Sequence, residues 1–189
     1  MYQNIPTKVL TGEVRLSYVN VINPKPIGKD GKGDPKYSIT LLIPKTDTAT
    51  LNDIRASIKA ADEKGVKDLW KGLHPRYNDL LHDGDGVRDN GMPYGAECKG
   101  HYVLNASSKI KPQVVGIDNI NCELAPQDIY SGMYGRVTIN FFPYNTGSNG
   151  VGCGLGNILK TRDGNPLGGG ATAASDFAGL GQSFDPING

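Results

Sequence analysis

Asp83-Gly84-Asp85, with His82 before it and His101 further along, is the most reactive-looking combination of side chains in this sequence. Carboxylates and imidazoles together can hold a divalent cation and activate water. That chemistry would be a metal-dependent hydrolase or nuclease using His82, Asp83, Asp85 and His101. The spacing gives it no further support. His74, His82 and His101 never fall four apart, and no Cys-x-x-Cys occurs. A calcium loop starting at Asp83 fails, because Val87 and Arg88 stand where it needs a ligand and a glycine. Asp-Gly pairs are also ordinary turn chemistry. No serine lies in a Gly-x-Ser-x-Gly setting, so acyl transfer has no anchor. The glycine-dense stretch Gly147–Gly156 invites comparison with a phosphate loop, but it lacks the Gly-x-x-x-x-Gly-Lys-Ser/Thr and Gly-x-Gly-x-x-Gly spacings. It is expected to be a pliable hairpin between two strands, or a place where a polymer approaches the backbone. No cofactor is expected.

A second constellation is spread along the chain. Aromatic residues interleave with bases at Arg15/Tyr18, Lys36/Tyr37, Lys99/Tyr102, Lys109/Lys111, Tyr134/Arg136 and Phe142/Tyr144. Aromatic rings stack unpaired bases in a sequence-tolerant way, at about 1–3 kcal/mol per base, while Lys and Arg follow the phosphates. The candidate single-strand-binding residues are therefore Arg15, Tyr18, Lys36, Lys99, Tyr102, Lys109, Lys111, Tyr134, Arg136, Phe142 and Tyr144. Tyr37 and Tyr102 share their parity with core positions, so each also fits a packing role.

The elements that must position these residues are mostly strands. From Tyr134 to Phe142 the period is two, with Gly135, Val137, Ile139 and Phe141 on one face and Tyr134, Arg136, Thr138, Asn140 and Phe142 on the other. Residues 12–22 alternate until Tyr18, where the apolar parity switches to Val19 and Val21, and this predicts a bulge and a bend. Residues 23–35 read as a basic loop rich in Pro and Gly, followed by a strand over 36–43 with Tyr37, Ile39, Leu41 and Ile43 inward. Residues 47–64 form the clearest helix, capped by Asp47 or Thr48 and stopped at Gly65. Leu51, Ile54, Ile58 and Ala61 make its apolar stripe, and a short turn then brings Trp70 in as a packing anchor. Residues 74–97 read as a long ordered loop. Strands are expected at 99–106, 113–116 and 158–161, with one helical turn near 127–129.

About five strands of any length, with one substantial helix among the early ones, argue against an alternating α/β sheet. The expected architecture is mainly β, a five-stranded Greek-key barrel with an inserted α-helix and a flexible C-terminal tail. The domain is expected over 1–165, and the Gly/Ala/Ser-rich residues 166–189 as a disordered tail.

Net charge is +1, but its distribution is uneven. Residues 1–46 carry +4, 47–98 carry −3, 99–162 carry +3 and 163–189 carry −3. The strand-bearing segments are thus basic, as suits an anionic polymer. Three widely spaced cysteines, Cys98, Cys122 and Cys153, fit reduced thiols in a cytoplasm. No apolar run approaches a membrane span, and no signal peptide is expected.

Several of these blocks coincide with one family. Val14-Arg15-Leu16-Ser17-Tyr18, Lys36-Tyr37-Ser38 to Pro44-Lys45, Asp83-Gly84-Asp85, Tyr102 to Lys109, Tyr130-Ser131-Gly132 and Arg162-Asp163-Gly164 to Gly169 occur in order over residues 8–170. In these the chain resembles the phage-type single-stranded DNA-binding proteins, formerly a domain of unknown function. The resemblance implies an OB-fold that coats single-stranded DNA during phage replication or recombination in the infected cell's cytoplasm. It implies no enzymatic activity. Its implied partners are single-stranded DNA and phage replication proteins such as a polymerase or helicase, with room for self-association. Family members commonly end in an acidic tail with a terminal aromatic residue. This chain departs there, with Asp176 and Asp185 after the glycines and Ile187-Asn188-Gly189 at the end. A phage structural or adaptor protein built on a β-barrel is a further alternative.

Overall fold

In the computed structural model, residues 1–28 and 30–168 are described. Nine strands among them form one sheet: β1 (Lys8–Leu10), β2 (Val14–Pro26), β3 (Pro35–Pro44), β4 (His82–Asp83), β5 (His101–Ser108), β6 (Val114–Gly116), β7 (Asn119–Glu123), β8 (Tyr134–Tyr144) and β9 (Gly150–Arg162). A single α-helix among the described residues, α1, spans Thr48–Asp68.

Five of the strands close on themselves. β2 pairs with β3, β3 with β5, β5 with β9, β9 with β8, and β8 returns to β2 at Val14 and Arg15. Only the β5–β9 contact within this ring is parallel. This is the expected five-stranded Greek-key OB barrel, with α1 inserted between β3 and β5. Strict alternation fills its interior. Leu16, Ile39, Leu41, Leu104, Val137, Ile139, Phe141 and Ile158 are each at most 1% exposed. Burying each contributes about 1.5–3 kcal/mol before ordering costs.

Tyr18 sits where the parity switches. The β2–β3 register breaks between Ser17 and Asn20, and Tyr18 takes a left-handed φ of 46°. The bulge re-aims the ring, which stands 61% exposed on the outside of the barrel.

Three expectations are corrected. Residues 23–35 are not simply a loop: β2 continues to Pro26 and β3 begins at Pro35, its Cα partner, so the two strands form a projecting arm. Proline is tolerated at strand ends, where no partner needs its missing N–H. The helix does not stop at Gly65. Gly65 lies inside α1, where a Cβ would come within 2.5 Å of the Trp70 ring. Its bareness admits the indole, which is 3% exposed and donates from Nε1 to the Tyr144 carbonyl at 3.0 Å. Trp70 is thus the expected packing anchor.

The third correction concerns the glycine stretch. Gly150–Gly156 belongs to β9, and the connection is only residues 145–149. Val151, Cys153 and Leu155 are buried, while the alternate glycines face out under neighbouring side chains. A Cβ on Gly152 would lie 2.6 Å from the Phe142 ring, and one on Gly150 2.6 Å from the Tyr144 hydroxyl. The glycines are strand residues because aromatic rings from β8 cover them. β7 was also missed. The tail expected over 166–189 falls, from residue 169 onward, outside the described residues.

Candidate nucleic-acid interface

On the outer face of β2, β3 and β5 a cleft forms between the barrel and the segment that follows β4. Register places Ser17 opposite Thr40, Thr40 opposite Asn105, and Leu42 opposite Val103. Since partners share a face, these side chains form one outward row. Thr40 Oγ1 donates to Asn105 Oδ1 at 2.6 Å. The segment after β4 folds back over this row. Tyr94 packs on Leu42, Cys98 and Val103, and the Arg88 guanidinium lies 4.7 Å from the Tyr94 ring centroid. Between barrel and segment lies a cleft of about 590 Å³, lined also by Tyr18 and Glu97.

Two further clefts continue it. One, of about 450 Å³, shares Ser17, Tyr18 and Glu97 and reaches Lys25 and Leu167. The other, of about 510 Å³, shares His82 and Asp89 and reaches Arg76, Tyr77, Tyr144 and Asn149. Joined, they make a groove across the barrel. Along it tyrosines 18, 94, 77 and 144 alternate with Lys25, Arg88 and Arg76. Burial and the Asp62 carboxylate, which accepts the Tyr77 hydroxyl at 2.9 Å, push the Tyr77 phenol up and keep it neutral.

The arm extends the positive end of this groove. Lys25 and Lys36 are direct cross-strand partners. Like charges placed opposite destabilise a strand pair, and a bound anion removes that cost. Neither has a carboxylate within salt-bridge distance among the described residues. Lys109 reaches Asp34 of the arm at 3.2 Å.

The structure brings together Tyr18, Lys36, Lys109 and Tyr144 along this side. The other candidates are engaged by their own chain or sit elsewhere, and Arg15, although the cross-strand partner of Leu42 on the same outward row, is drawn toward Tyr134. Arg15 donates from Nη2 to the Asn165 carbonyl at 2.7 Å and lies 5.7 Å from the Tyr134 ring. The Arg162 guanidinium lies 3.6 Å from that same ring, and Glu13 accepts from Arg162 Nε at 2.9 Å. Tyr134 is thus occupied by its own chain. Arg136 donates to the Thr11 carbonyl at 2.8 Å beside the start of α1. Tyr102 packs against the core under Lys45 and Arg55. Lys111 borders a small cleft with Val21 and Leu124. Lys99 is exposed on the turn before β5, and Phe142 lies over β9.

Lys25, Arg76, Tyr77, Arg88 and Tyr94 were not anticipated. Their signal was present as the same base-and-aromatic pairing, Arg76-Tyr77 and Arg88 to Tyr94. It lies in a long loop, where no periodicity marks a face, although long ordered loops often carry function.

The hydrolase alternative finds no support. Lys45 Nζ donates to Asp83 at 2.6 Å and to Asp85 at 2.7 Å. Lys45 is the first cause holding both carboxyls below their usual range. Among the described residues no group of three or more His, Cys, Asp or Glu is placed to hold a metal ion. None of the helices described there is long and apolar enough to cross a membrane.

A closed OB barrel with an aromatic and basic groove across β2, β3 and β5 defines an oligomer-binding module of the OB class. The sequence profile of the Enterobacter phage Enc34 ssDNA-binding protein matches residues 7–186, and the chain belongs to that family. A putative protein p50 of Acyrthosiphon pisum secondary endosymbiont phage 1 is 32% identical over 182 residues, covering 92% of this chain and 94% of the relative. The solved structure of the bacteriophage Enc34 single-stranded DNA-binding protein in complex with ssDNA superposes with a TM-score of 0.70 at 26% identity, covering 86% of this chain and 90% of that one. The gp2.5 single-stranded DNA-binding protein of bacteriophage T7 shares the fold, with a TM-score of 0.57 at 16% identity over 89% of this chain and 95% of that one.

Proposed function

We propose that this protein binds single-stranded DNA with little sequence preference and coats it during phage replication or recombination. The observation that carries this is the groove itself. Exposed or half-buried tyrosines alternate with Lys and Arg from Lys25 of the arm, over the outer β2–β3–β5 face, to Tyr144 at the end of β8, in a chain of the Enc34 family. Free bases stack on the rings while cations follow the phosphates. A duplex hides its base faces, so this arrangement favours single strands.

The groove set is Tyr18, Lys25, Lys36, Arg76, Tyr77, Arg88, Tyr94 and Tyr144. Binding rather than turnover is the activity, residues 1–165 are the binding domain, and the site of action is the infected cell's cytoplasm. Fluorescence anisotropy with labelled oligo-dT at low and moderate salt tests this. Affinity should fall steeply with salt as counterions are released, with a log–log slope of about −0.7 per phosphate contact. Binding weaker than ~10 µM at low salt, or independent of salt, is incompatible with it.

A further inference from the structure

The Asp83-Gly84-Asp85 motif and Lys45 are far apart in sequence and meet in space. Lys45 follows the last residue of β3, and its backbone N–H donates to the Gly100 carbonyl at 2.9 Å. Its ammonium holds Asp83 and Asp85 together, 5.3 Å from the Tyr102 ring. Asp85 in turn accepts from the Gly100 N–H at 3.1 Å, and the Gly84 N–H donates to the His101 carbonyl at 2.9 Å. Gly84 has no room for a Cβ against the Cys98 and His101 carbonyls. The result is a tight junction between the end of β3, the start of β5 and the first turn of the segment that walls the groove.

We infer that Lys45 is a positioning residue for DNA binding: it latches the root of the 84–98 wall, and so holds Arg88 and Tyr94 over the β3–β5 face. The inference rests on the single-strand-binding function proposed above. Beyond this root, the wall is held by the small apolar contact of Tyr94 and Cys98 with Leu42 and Val103. A wall that loosens must be re-ordered by each incoming strand, which weakens binding by the ordering cost.

Charge and latch make opposite predictions. Asp83→Asn with Asp85→Asn removes two negative charges beside a groove for an anionic polymer. If these residues acted only through the field, affinity for oligo-dT would rise. The latch requires it to fall, several-fold, with faster dissociation. Lys45→Met keeps the stem over Tyr102 and should show the same loss, with an unchanged salt slope because no phosphate contact is removed. Lys45→Arg, whose fork can span both carboxylates, should restore most of the affinity. Hydrogen exchange without DNA should speed up over 84–98 in both weakened variants and leave the barrel strands protected. The latch is overturned if the double Asn variant binds as tightly as the parent or tighter. It is equally overturned if exchange over 84–98 is unchanged, or if Lys45→Met lowers the salt slope by about 0.7, the mark of a direct phosphate contact. Failure of the unsubstituted protein to bind oligo-dT in the same titration would instead strike the proposed function.

Discussion

Two outer faces of this barrel carry the same mixture of aromatic and basic residues and use it differently. On β8, Tyr134 is engaged by Arg162 and Arg15, Arg136 by the Thr11 carbonyl, and Phe142 by the bare backbone of Gly152 and Gly154. Tyr134 and Arg136 are held by their own surface, and Phe142, still 42% exposed, lies over bare β9 backbone and lines none of the three clefts of the groove. On the β2–β3–β5 side, Tyr18 is thrown outward by a bulge and Tyr94 comes from a separate wall, so rings border open space. Composition of a face therefore does not make a groove. A groove needs a second wall and rings whose neighbours leave one side free.

The comparison can be broken most directly at its strongest point. Tyr18→Ala, at an exposed bulge, should weaken oligo-dT binding by about 1–3 kcal/mol, on the order of tenfold, with no loss of melting temperature. Tyr94→Ala should weaken it similarly and also cost some stability, because that ring packs on Leu42 and Val103. If neither variant changes affinity, the open face is not the groove. Replacing Lys25 and Lys36 together by Ala should reduce the salt slope by about 1.4 and raise stability of the arm slightly by relieving their repulsion. An unchanged slope would remove the arm from the interface.

The β8 side should respond in the opposite sense. Tyr134→Ala with Arg136→Ala should lower stability by about 1 kcal/mol through lost cation–π and hydrogen-bond contacts, with binding altered less than about twofold. A larger loss of binding would move the groove towards β8. Gly152→Ala should displace the Phe142 ring and cost about 1 kcal/mol of stability without affecting DNA.

The smallest response is to pH. Asp83 and Asp85 are held below the ordinary carboxylate range, first of all by Lys45, and Lys45 is held above its ordinary value by both. The nearby Lys99 also favours the charged Asp85. A depressed carboxylate contributes fully above its ordinary value and is lost as pH falls through the lowered one. A raised lysine contributes fully below its ordinary value. Protease resistance of the 84–98 segment should thus stay flat from about pH 6 to 9 and fail only in acid. Loss near pH 6 would point to a different anchor.

Much of the fold was legible because it depends on local pattern. Period-two alternation marked the inward rows of β3 and β8, the parity switch at Tyr18 marked the bulge, and Leu51, Ile54 and Ala61 marked the buried side of α1. Gly65 and Gly150–Gly156 were misread for one reason: a glycine's meaning lies in the ring that covers it, and Trp70 and Phe142 reach their glycines through space.

By itself, then, the sequence determined a mainly β barrel, its inserted helix, the bulge that exposes Tyr18 and the family to which the chain belongs. Only the tertiary structure decided which aromatic and basic residues are free to meet a ligand. Alternation says which way a side chain points from its own strand. Whether another element has already claimed it, as Arg162 claims Tyr134, or has left a cleft beside it, as the 84–98 wall does at Tyr18, depends on residues brought together from distant parts of the chain.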